Sequence, residues 1–391
     1  MQKYVILETI SDLGHSTIAK AQNSETRELV IIKMLKRKFY TWEECMKIRE
    51  IKVLTVLYHP QLLKIKEIIK LREEVYCVYE FYESSLFDYY QQIRESGEQI
   101  SEQIIKQIMF QIIQGVQYLH SQKYLHRDIC PENICVTANE DNTYIQAKIS
   151  SFFVTRENNQ KQNNQFTDYI TTRWYRAPEQ LIHSQNYNQQ VDIWAIGCVM
   201  MELLQKQILY IIFFQIYVFF FSLLGPVFNG ISEQDQLIKI IKIFGTPLMQ
   251  EWPEVYSYAT QMKISIPQEK GIKLEQIIPQ ASNEAINLLL SIFKFMPSKR
   301  ISCENMLKHP FFSDIDTFQL NDSIIKSHIN KNRQNNIFEK QQANNSKNNN
   351  DSNNNVTNNN ISNNNISNNN ISNNNVKNIN SNINNNNNIN T

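Results

Sequence analysis

The octet at residues 126–133, His-Arg-Asp-Ile-Cys-Pro-Glu-Asn, limits what this chain can fold into more than any other segment. It places an aspartate five residues before an asparagine. The carboxylate of Asp128 can accept or orient the proton of a hydroxyl group, and the carbonyl oxygen of Asn133 is a ligand that suits Mg²⁺. This combination of residue types and spacing is highly specific for a catalytic loop. We therefore expect Asp128 and Asn133 to be catalytic, with Asn133 also a metal ligand.

A second candidate site element is a lysine at the end of a predicted strand. The run Val-Ile-Ile-Lys ends in Lys33, whose ammonium could hold phosphate groups as a point charge if a carboxylate fixed its position. Glu50 is the candidate partner, on a helix predicted for residues 41–57 with Thr41 as its N-cap. The pattern alone is weak, because a lysine and a glutamate on adjacent elements usually form a surface ion pair.

The order of predicted elements divides the chain into a strand-rich part and a helical part. Short runs of β-branched or aromatic residues at 5–7, 29–32 and 76–79 each predict a strand. From Ser101, a candidate N-cap, apolar residues recur at helical spacing, and residues 191–204 form a second, strongly apolar helix that we expect to be buried. The sequence therefore predicts an α+β fold, with a small β-rich lobe joined to a larger helical lobe.

Composition argues against several classes of protein. The net charge is +1, so no overall field would draw the chain to nucleic acid or to an anionic membrane. The six cysteines are scattered without Cys-x-x-Cys pairs, which indicates a reducing compartment rather than a disulfide or zinc framework. The N-terminus lacks the basic and apolar pattern of a secretory signal. We expect the cytoplasm, the nucleus or both, with no nucleic-acid or membrane partner.

The segment at residues 321–391 differs in composition from the rest of the chain. From residue 344 it is dominated by Asn, Ser and Ile, with the unit Ile-Ser-Asn-Asn-Asn repeated. Such a segment cannot bury enough apolar surface to offset its ordering entropy, which predicts a disordered low-complexity tail. Self-association of this tail, or its origin as a by-product of an AT-rich coding sequence, are both open.

A third segment, Thr167–Glu179, ends in Trp-Tyr-Arg-Ala-Pro-Glu, and together with the octet and the strand lysine it resembles the eukaryotic protein kinases. Residues 36–45, 244–247 and 251–253 are similar to the kinases related to male-germ-cell-associated kinase and intestinal cell kinase, within the group of cyclin-dependent and MAP kinases. The resemblance covers residues 4–312. It implies the two-lobed kinase fold, ATP-dependent phosphorylation of Ser or Thr on protein substrates, and often a ciliary role.

The resemblance also implies roles for individual residues. The residues implied as catalytic are Lys33, Glu50, Asp128 and Asn133. The residues implied to contact ATP are Gly14, Ile18, Lys33, Glu80 and Tyr82.

Regulation and structural support are implied in the same way. An upstream kinase would phosphorylate Thr167 and Tyr169 in the activation segment. Arginines available to hold the resulting phosphates are Arg127, Arg173 and Arg176. Structural support would come from Asp192, bracing the catalytic loop, and from a pair between Glu179 and Arg300.

Three departures from the family pattern fall on the active site. The glycine-rich loop is Ser-Asp-Leu-Gly-His-Ser at residues 11–16, where none of the three expected glycines is in register, unless Gly14 supplies a shifted turn. The metal-binding Asp-Phe-Gly is Ser-Phe-Phe at residues 151–153, and a serine hydroxyl is a poor substitute for a carboxylate on a hard cation. Cys130 replaces the lysine of the catalytic loop, which removes a positive charge beside the transferred phosphate.

These departures predict a pseudokinase, a scaffold or regulator of partner proteins that binds ATP weakly or without metal and whose Mg²⁺ binding is impaired. A slow but active Ser/Thr kinase is the alternative. It would recruit another acidic group for Mg²⁺, with Asp12 and Glu132 as candidates. A third hypothesis is an assembly protein driven by its Asn-rich tail.

A fourth departure is an apolar insertion in the helical lobe. Residues 207–224 are surplus to the family pattern, which resumes at Gly225, and nearly all of them are apolar. A membrane span here would place two parts of one lobe on opposite sides of a bilayer, so we expect none. An intron read through in the gene model is the leading explanation, and an apolar loop that docks a partner is the alternative.

Overall fold

The computed structural model describes residues 3–12, 14–139, 144–158, 173–184, 187–205 and 226–315. Its first lobe is a five-stranded antiparallel sheet with strand order β1-β2-β3-β5-β4. The strands are β1 Tyr4–Asp12, β2 Ser16–Asn23, β3 Leu29–Leu35, β4 Ile65–Leu71 and β5 Glu74–Glu80. The predicted strands at 5–7, 29–32 and 76–79 all lie within them.

The central strand β3 carries Lys33 into the interior of the molecule. Val30 and Ile32 pack on one face of the sheet in a cluster with Tyr76 and Val78 of β5. Because side chains alternate along a strand, Lys33 points to the opposite face. This face is the one covered by the helices that follow β3.

The helix predicted for residues 41–57 is two helices, α1 Trp42–Met46 and α2 Arg49–Val56. Thr41 caps α1 as predicted, but Ile48 has extended backbone (φ −61°, ψ 124°) and interrupts the hydrogen-bond ladder. The prediction of one helix was therefore wrong. On one continuous helix, Cys45 and Glu50 would lie about 140° apart, whereas the break lets both be buried.

The second lobe is built mainly from helices. They are α3 Leu86–Glu95, α4 Glu102–Ser121, α5 Pro178–Leu181, α6 Gln190–Gln205, α7 Glu233–Phe244, α8 Pro253–Met262, α9 Leu274–Ile277, α10 Asn283–Ile292 and α11 Cys303–Leu307. Ser101 caps α4, accepting a hydrogen bond from the Ile104 amide. Every residue from 191 to 204 on α6 is buried, as its continuous apolar sequence predicts.

Two small sheets hold the loop that carries Asp128. Their strands are β6 Ser84–Ser85, β7 Tyr124–Leu125, β8 Ile134–Ala138, β9 Ile145–Ile149 and β10 Arg156–Glu157. One sheet has the order β6-β8-β9, and the other pairs β10 with β7. The catalytic octet leaves β7 and enters β8, while Ser151 follows β9. The two predicted lobes, one β-rich and one helical, are therefore both present.

Two predicted segments lie outside the described residues. They are the apolar insertion at 207–224 and the Asn-rich tail at 321–391, so the predictions made for them stay predictions. Across the part of the chain that the structure describes, no helix combines the length and apolarity needed to cross a bilayer.

Candidate active site

Lys33 and Glu50 form a buried ion pair between β3 and α2. The Lys33 Nζ lies 2.8 Å from the Glu50 Oε2, and the side chains are 11% and 5% exposed. This is the predicted pair, and its burial distinguishes it from an ordinary surface pair. A carboxylate in this position fixes the ammonium in the cleft between the two lobes, where the ammonium could hold phosphate oxygens.

Asp128 and Asn133 are joined by hydrogen bonds within the catalytic loop. The Asn133 Nδ2 donates to the Asp128 Oδ2 at 2.7 Å and to the Asp128 carbonyl oxygen at 2.9 Å. A short 3₁₀ turn, Pro131–Asn133, brings the asparagine back over the aspartate. The two predicted catalytic residues are therefore neighbours, with the asparagine amide turned toward the carboxylate.

Asp192 of α6 braces this loop, as predicted. It is completely buried, and its carboxylate accepts hydrogen bonds from the backbone amides of His126 at 3.0 Å and Arg127 at 2.7 Å. The His120 Nε2 donates a third hydrogen bond at 2.9 Å. Burial by itself would raise the pKa of Asp192, but these hydrogen bonds hold that pKa below its usual value.

The predicted pair between Glu179 and Arg300 is also present. The guanidinium donates to both carboxylate oxygens at 2.6 Å and 2.7 Å, and both residues are buried. A bidentate pair of this kind anchors the end of the activation segment to the core of the second lobe.

The electrostatic environment of Asp128 differs from that implied by the family pattern. Burial is the main cause that raises the pKa of Asp128 to about 6, with a contribution from the nearby Glu132 carboxylate, while the hydrogen bond from Asn133 opposes the rise. Cys130, at the position of the expected lysine, is buried, and burial raises its thiol pKa. A neutral thiol supplies no positive charge to offset the two carboxylates.

The segment that should bind metal has an unusual conformation. Ser151 has a positive φ of 64° and connects β9 to Phe152, whose fully buried ring meets the His126 ring edge-on at 5.1 Å. The next ring, that of Phe153, lies over the Lys33 Nζ at 4.0 Å from the ring centroid. The described residues contain no group of three or more His, Cys, Asp or Glu side chains that could hold a metal ion. Asn133 is thus left without an acidic partner at position 151.

The loop between β1 and β2 lacks the features of a phosphate-binding glycine loop. A Cβ added at Gly14 would meet nothing within 4 Å, and its φ is outside the left-handed region, so no requirement for glycine is evident there. Asp12, a candidate metal ligand, forms an ion pair with Lys36 at 2.8 Å and accepts a hydrogen bond from Thr17 at 2.6 Å. These contacts join Asp12 to β2 and to the residue that follows β3. The other candidate, Glu132, is exposed.

The residues predicted to contact the base of a nucleotide lie on or just after the sheet. Ile18 pairs directly with Lys33 across β2 and β3, on the same face. Glu80 ends β5, and its carboxylate binds the Lys148 Nζ at 2.7 Å, so any contact with a base would come from its backbone. Tyr82 follows two residues later, and burial raises its pKa.

The predicted phosphate-binding arginines are divided between two places. Arg176 forms an ion pair with Glu233 at 2.9 Å, and Arg173 donates to the Ile231 carbonyl oxygen at 3.0 Å. Arg127 is buried, with its guanidinium 5.4 Å from the ring centroid of Tyr187. Burial and then the nearby charge of Arg156 lower the pKa of Arg127, whereas Tyr187 raises it.

Arg156 is a basic residue of this region that the sequence analysis missed. It lies on β10, five residues after Ser151. Its place in the segment that follows Ser151 is the sequence signal that could have identified it as a candidate. The predicted phosphorylation sites, Thr167 and Tyr169, lie outside the described residues.

Comparison with known proteins agrees with this geometry. The protein kinase domain family matches residues 4–312. The serine/threonine-protein kinase MAK of Homo sapiens is 36% identical over 312 residues, covering 80% of this chain and 46% of that protein. The serine/threonine-protein kinase ICK of Mus musculus is 37% identical over 312 residues, covering 80% and 45%. Cyclin-dependent kinase F-3 of Oryza sativa is 37% identical over 313 residues, covering 80% and 66%.

This chain spans about half the length of the MAK and ICK relatives that it matches. The matched residues, 4–312, include Lys33, the catalytic loop and the Ala-Pro-Glu segment. The chain therefore belongs to the eukaryotic protein kinases, as a member of the family that includes the MAK and ICK serine/threonine kinases.

Proposed function

We propose that this member of the kinase family is a pseudokinase, which acts as a scaffold or allosteric partner of other proteins. The observation that carries the proposal is the replacement at position 151. Ser151 offers a hydroxyl where the family uses a carboxylate to hold Mg²⁺ on the phosphates.

The expected loss of rate follows from electrostatics. Removal of one preorganised contact to a developing charge costs roughly 10²–10³ in rate. Ser151 and Cys130 each remove such a contact, and because both would act on the same phosphoryl group, their effects need not multiply. Either loss is enough to prevent ordinary turnover.

The rest of the site supports a cleft that keeps its shape. The Lys33–Glu50 pair and the Asp128–Asn133 pair are both formed and hold these four side chains in place. We propose that ATP binds this cleft weakly or without metal. We also propose that phosphorylation of Thr167 and Tyr169 by an upstream kinase changes the surface offered to partner proteins, with Arg127, Arg173 and Arg176 available to bind the phosphates.

The proposal extends to domain organisation and location. Residues 4–312 would form the kinase domain, and residues 321–391 a disordered Asn-rich tail. We propose the cytoplasm or nucleus as the compartment, and the family resemblance extends this to the cilium. Substrates or regulated partners would be proteins.

A slow but active Ser/Thr kinase is the second candidate, and the Lys33–Glu50 and Asp128–Asn133 contacts favour it. An active enzyme would need another anionic group on Mg²⁺. Both candidates are exposed: Asp12 contacts Lys36 and Thr17, and Glu132 lies in the catalytic loop itself.

A phosphotransfer assay on the full chain distinguishes these candidates. With Mg²⁺ or Mn²⁺ and a general protein substrate, we expect no transfer above that of Asp128→Asn. Activity that Asp128→Asn abolishes would refute the pseudokinase proposal. The double variant Ser151→Asp, Cys130→Lys should gain measurable activity, because it restores a metal-binding carboxylate and the charge of the catalytic loop.

A further inference from the structure

The ring of Phe153 lies against the ammonium group that should bind phosphate. Its centroid is 4.0 Å from the Lys33 Nζ, well within the distance at which an aromatic face attracts a cation. The expected residue at this position is glycine, which would leave the same space empty. Phe153 is therefore both a filler of the phosphate end of the cleft and a partner for its positive charge.

The charge of Lys33 is already satisfied from two sides. Glu50 accepts a hydrogen bond from it at 2.8 Å, and the Phe153 ring covers another face of the ammonium. A triphosphate could reach this ammonium only by displacing the ring, with loss of the cation–π contact. If the ring stayed, the phosphates would lie in the cleft without the lysine, and Ser151 offers no carboxylate through which a metal ion could compensate.

A residue of the first lobe also contacts the Phe153 ring. The His15 ring, in the loop between β1 and β2, meets Phe153 edge-on at a centroid distance of 5.6 Å. This contact joins the loop of the first lobe to the segment after β9 in the second lobe. The rings of His15 and Phe153 thus meet at the phosphate end of the cleft, and Phe153 stands where the family pattern has a glycine.

The residue that follows His15 begins β2 and carries a buried polar group. Ser16 is completely buried, and its hydroxyl has no hydrogen-bond partner among the described residues. Strand register puts Ser16 on the same face of β2 as Ile18, which pairs with Lys33. A buried hydroxyl without a partner is costly, and any ligand that placed a polar atom beside it would supply one.

Residues predicted to contact the base are not affected by Phe153. Ile18 remains partly exposed, and the backbone of Glu80 and the ring of Tyr82 lie in the connection between the lobes. We propose that Phe153 determines the ligand specificity of this cleft, selecting an uncharged purine nucleoside over a nucleoside triphosphate. This inference rests on the proposed function, because it assumes that the cleft binds nucleotide without metal.

Binding measurements on the full chain test the inference. Adenosine, ATP with EDTA and ATP with Mg²⁺ would be titrated by calorimetry into the wild-type protein, Phe153→Gly and Phe153→Leu. For the wild type we expect adenosine to bind at least as tightly as ATP, with less than about a twofold effect of Mg²⁺. Phe153→Gly should tighten ATP by about threefold to thirtyfold, the range that loss of one cation–π contact allows, and change adenosine by less than about twofold.

Phe153→Leu keeps most of the side-chain bulk and removes the aromatic face. We expect it to tighten ATP by a smaller factor than Phe153→Gly, and it keeps the test available if the glycine variant does not fold. An unchanged ratio of ATP to adenosine affinity in both variants would overturn the inference. So would a failure of adenosine to bind the wild type. Mg²⁺-dependent binding of ATP to the wild type would instead overturn the proposed function.

Discussion

The difference in stability between Asp128→Asn and the wild type should shift in favour of the variant as the pH rises from acid to neutral. In the folded protein burial raises the pKa of Asp128 to about 6, against an ordinary value of 3.8. The folded state therefore binds this proton more tightly than the unfolded chain does. It follows that Asp128 lowers the free energy of unfolding progressively as the pH rises through the interval from 3.8 to 6.

The magnitude follows from the same two values. The gap between about 6 and 3.8, at about 1.4 kcal/mol per pH unit, corresponds to about 3 kcal/mol. About 1.3 kcal/mol of this falls between pH 5 and pH 7, where one group changes from mostly protonated to mostly ionised. Asp128→Asn removes the titration but leaves a hydrogen-bonding group of the same size beside Asn133.

Urea unfolding of the wild type and Asp128→Asn at several pH values between 5 and 7 measures this term directly. The difference in unfolding free energy between the two proteins should grow by about 1.3 kcal/mol in favour of the variant as the pH rises. Glu132→Gln is the matched control, because it removes a neighbouring negative charge and keeps Asp128 titratable, so most of the slope should remain. Parallel curves for the wild type and Asp128→Asn would refute the argument.

Three further predictions concern the scaffold. Arg300→Leu leaves a buried carboxylate without its partner and should lower the free energy of unfolding by about 3–5 kcal/mol, whereas Arg173→Leu at the surface should cost less than about 1 kcal/mol. Gly197→Ala would place a Cβ 2.5 Å from the Ile292 side chain and should lower the free energy of unfolding by about 1–3 kcal/mol. Gly14→Ala, whose Cβ would meet nothing within 4 Å, should change it by about 0.5 kcal/mol or less. Denaturant unfolding measures all four of these variants. Sequencing the transcript should recover a spliced message without the codons for residues 207–224, and their presence in mature message would contradict a read-through intron.

The catalytic framework could be predicted because its residues occur in short segments with fixed spacing. The Asp128–Asn133 contact follows from five residues of loop, and the bracing role of Asp192 from its position in a motif. The partner of Lys33 required one assumption, that the helix after β3 turns a carboxylate inward, and Glu50 does so.

Other features depend on tertiary packing and have no local signal. The break at Ile48 has no signal in the local sequence, and it accompanies the burial of both Cys45 and Glu50. The ion pair of Arg176 is with Glu233, a residue 57 positions away on another helix. The sequence names Phe153 as a departure, but that its ring rests on Lys33 depends on how the two lobes meet.

The bracing of the loop by Asp192 has a consequence for how such a protein can change over evolutionary time. Within the described part of the chain, its carboxylate accepts from two backbone amides and from His120, and none of these groups is a predicted metal ligand. The hydrogen bonds between Glu179 and Arg300 likewise do not involve Ser151. Selection on the fold and selection on the chemistry therefore act on different side chains. A lineage can lose phosphoryl transfer by changing two or three residues and still inherit an intact architecture, open to reuse as a binding surface.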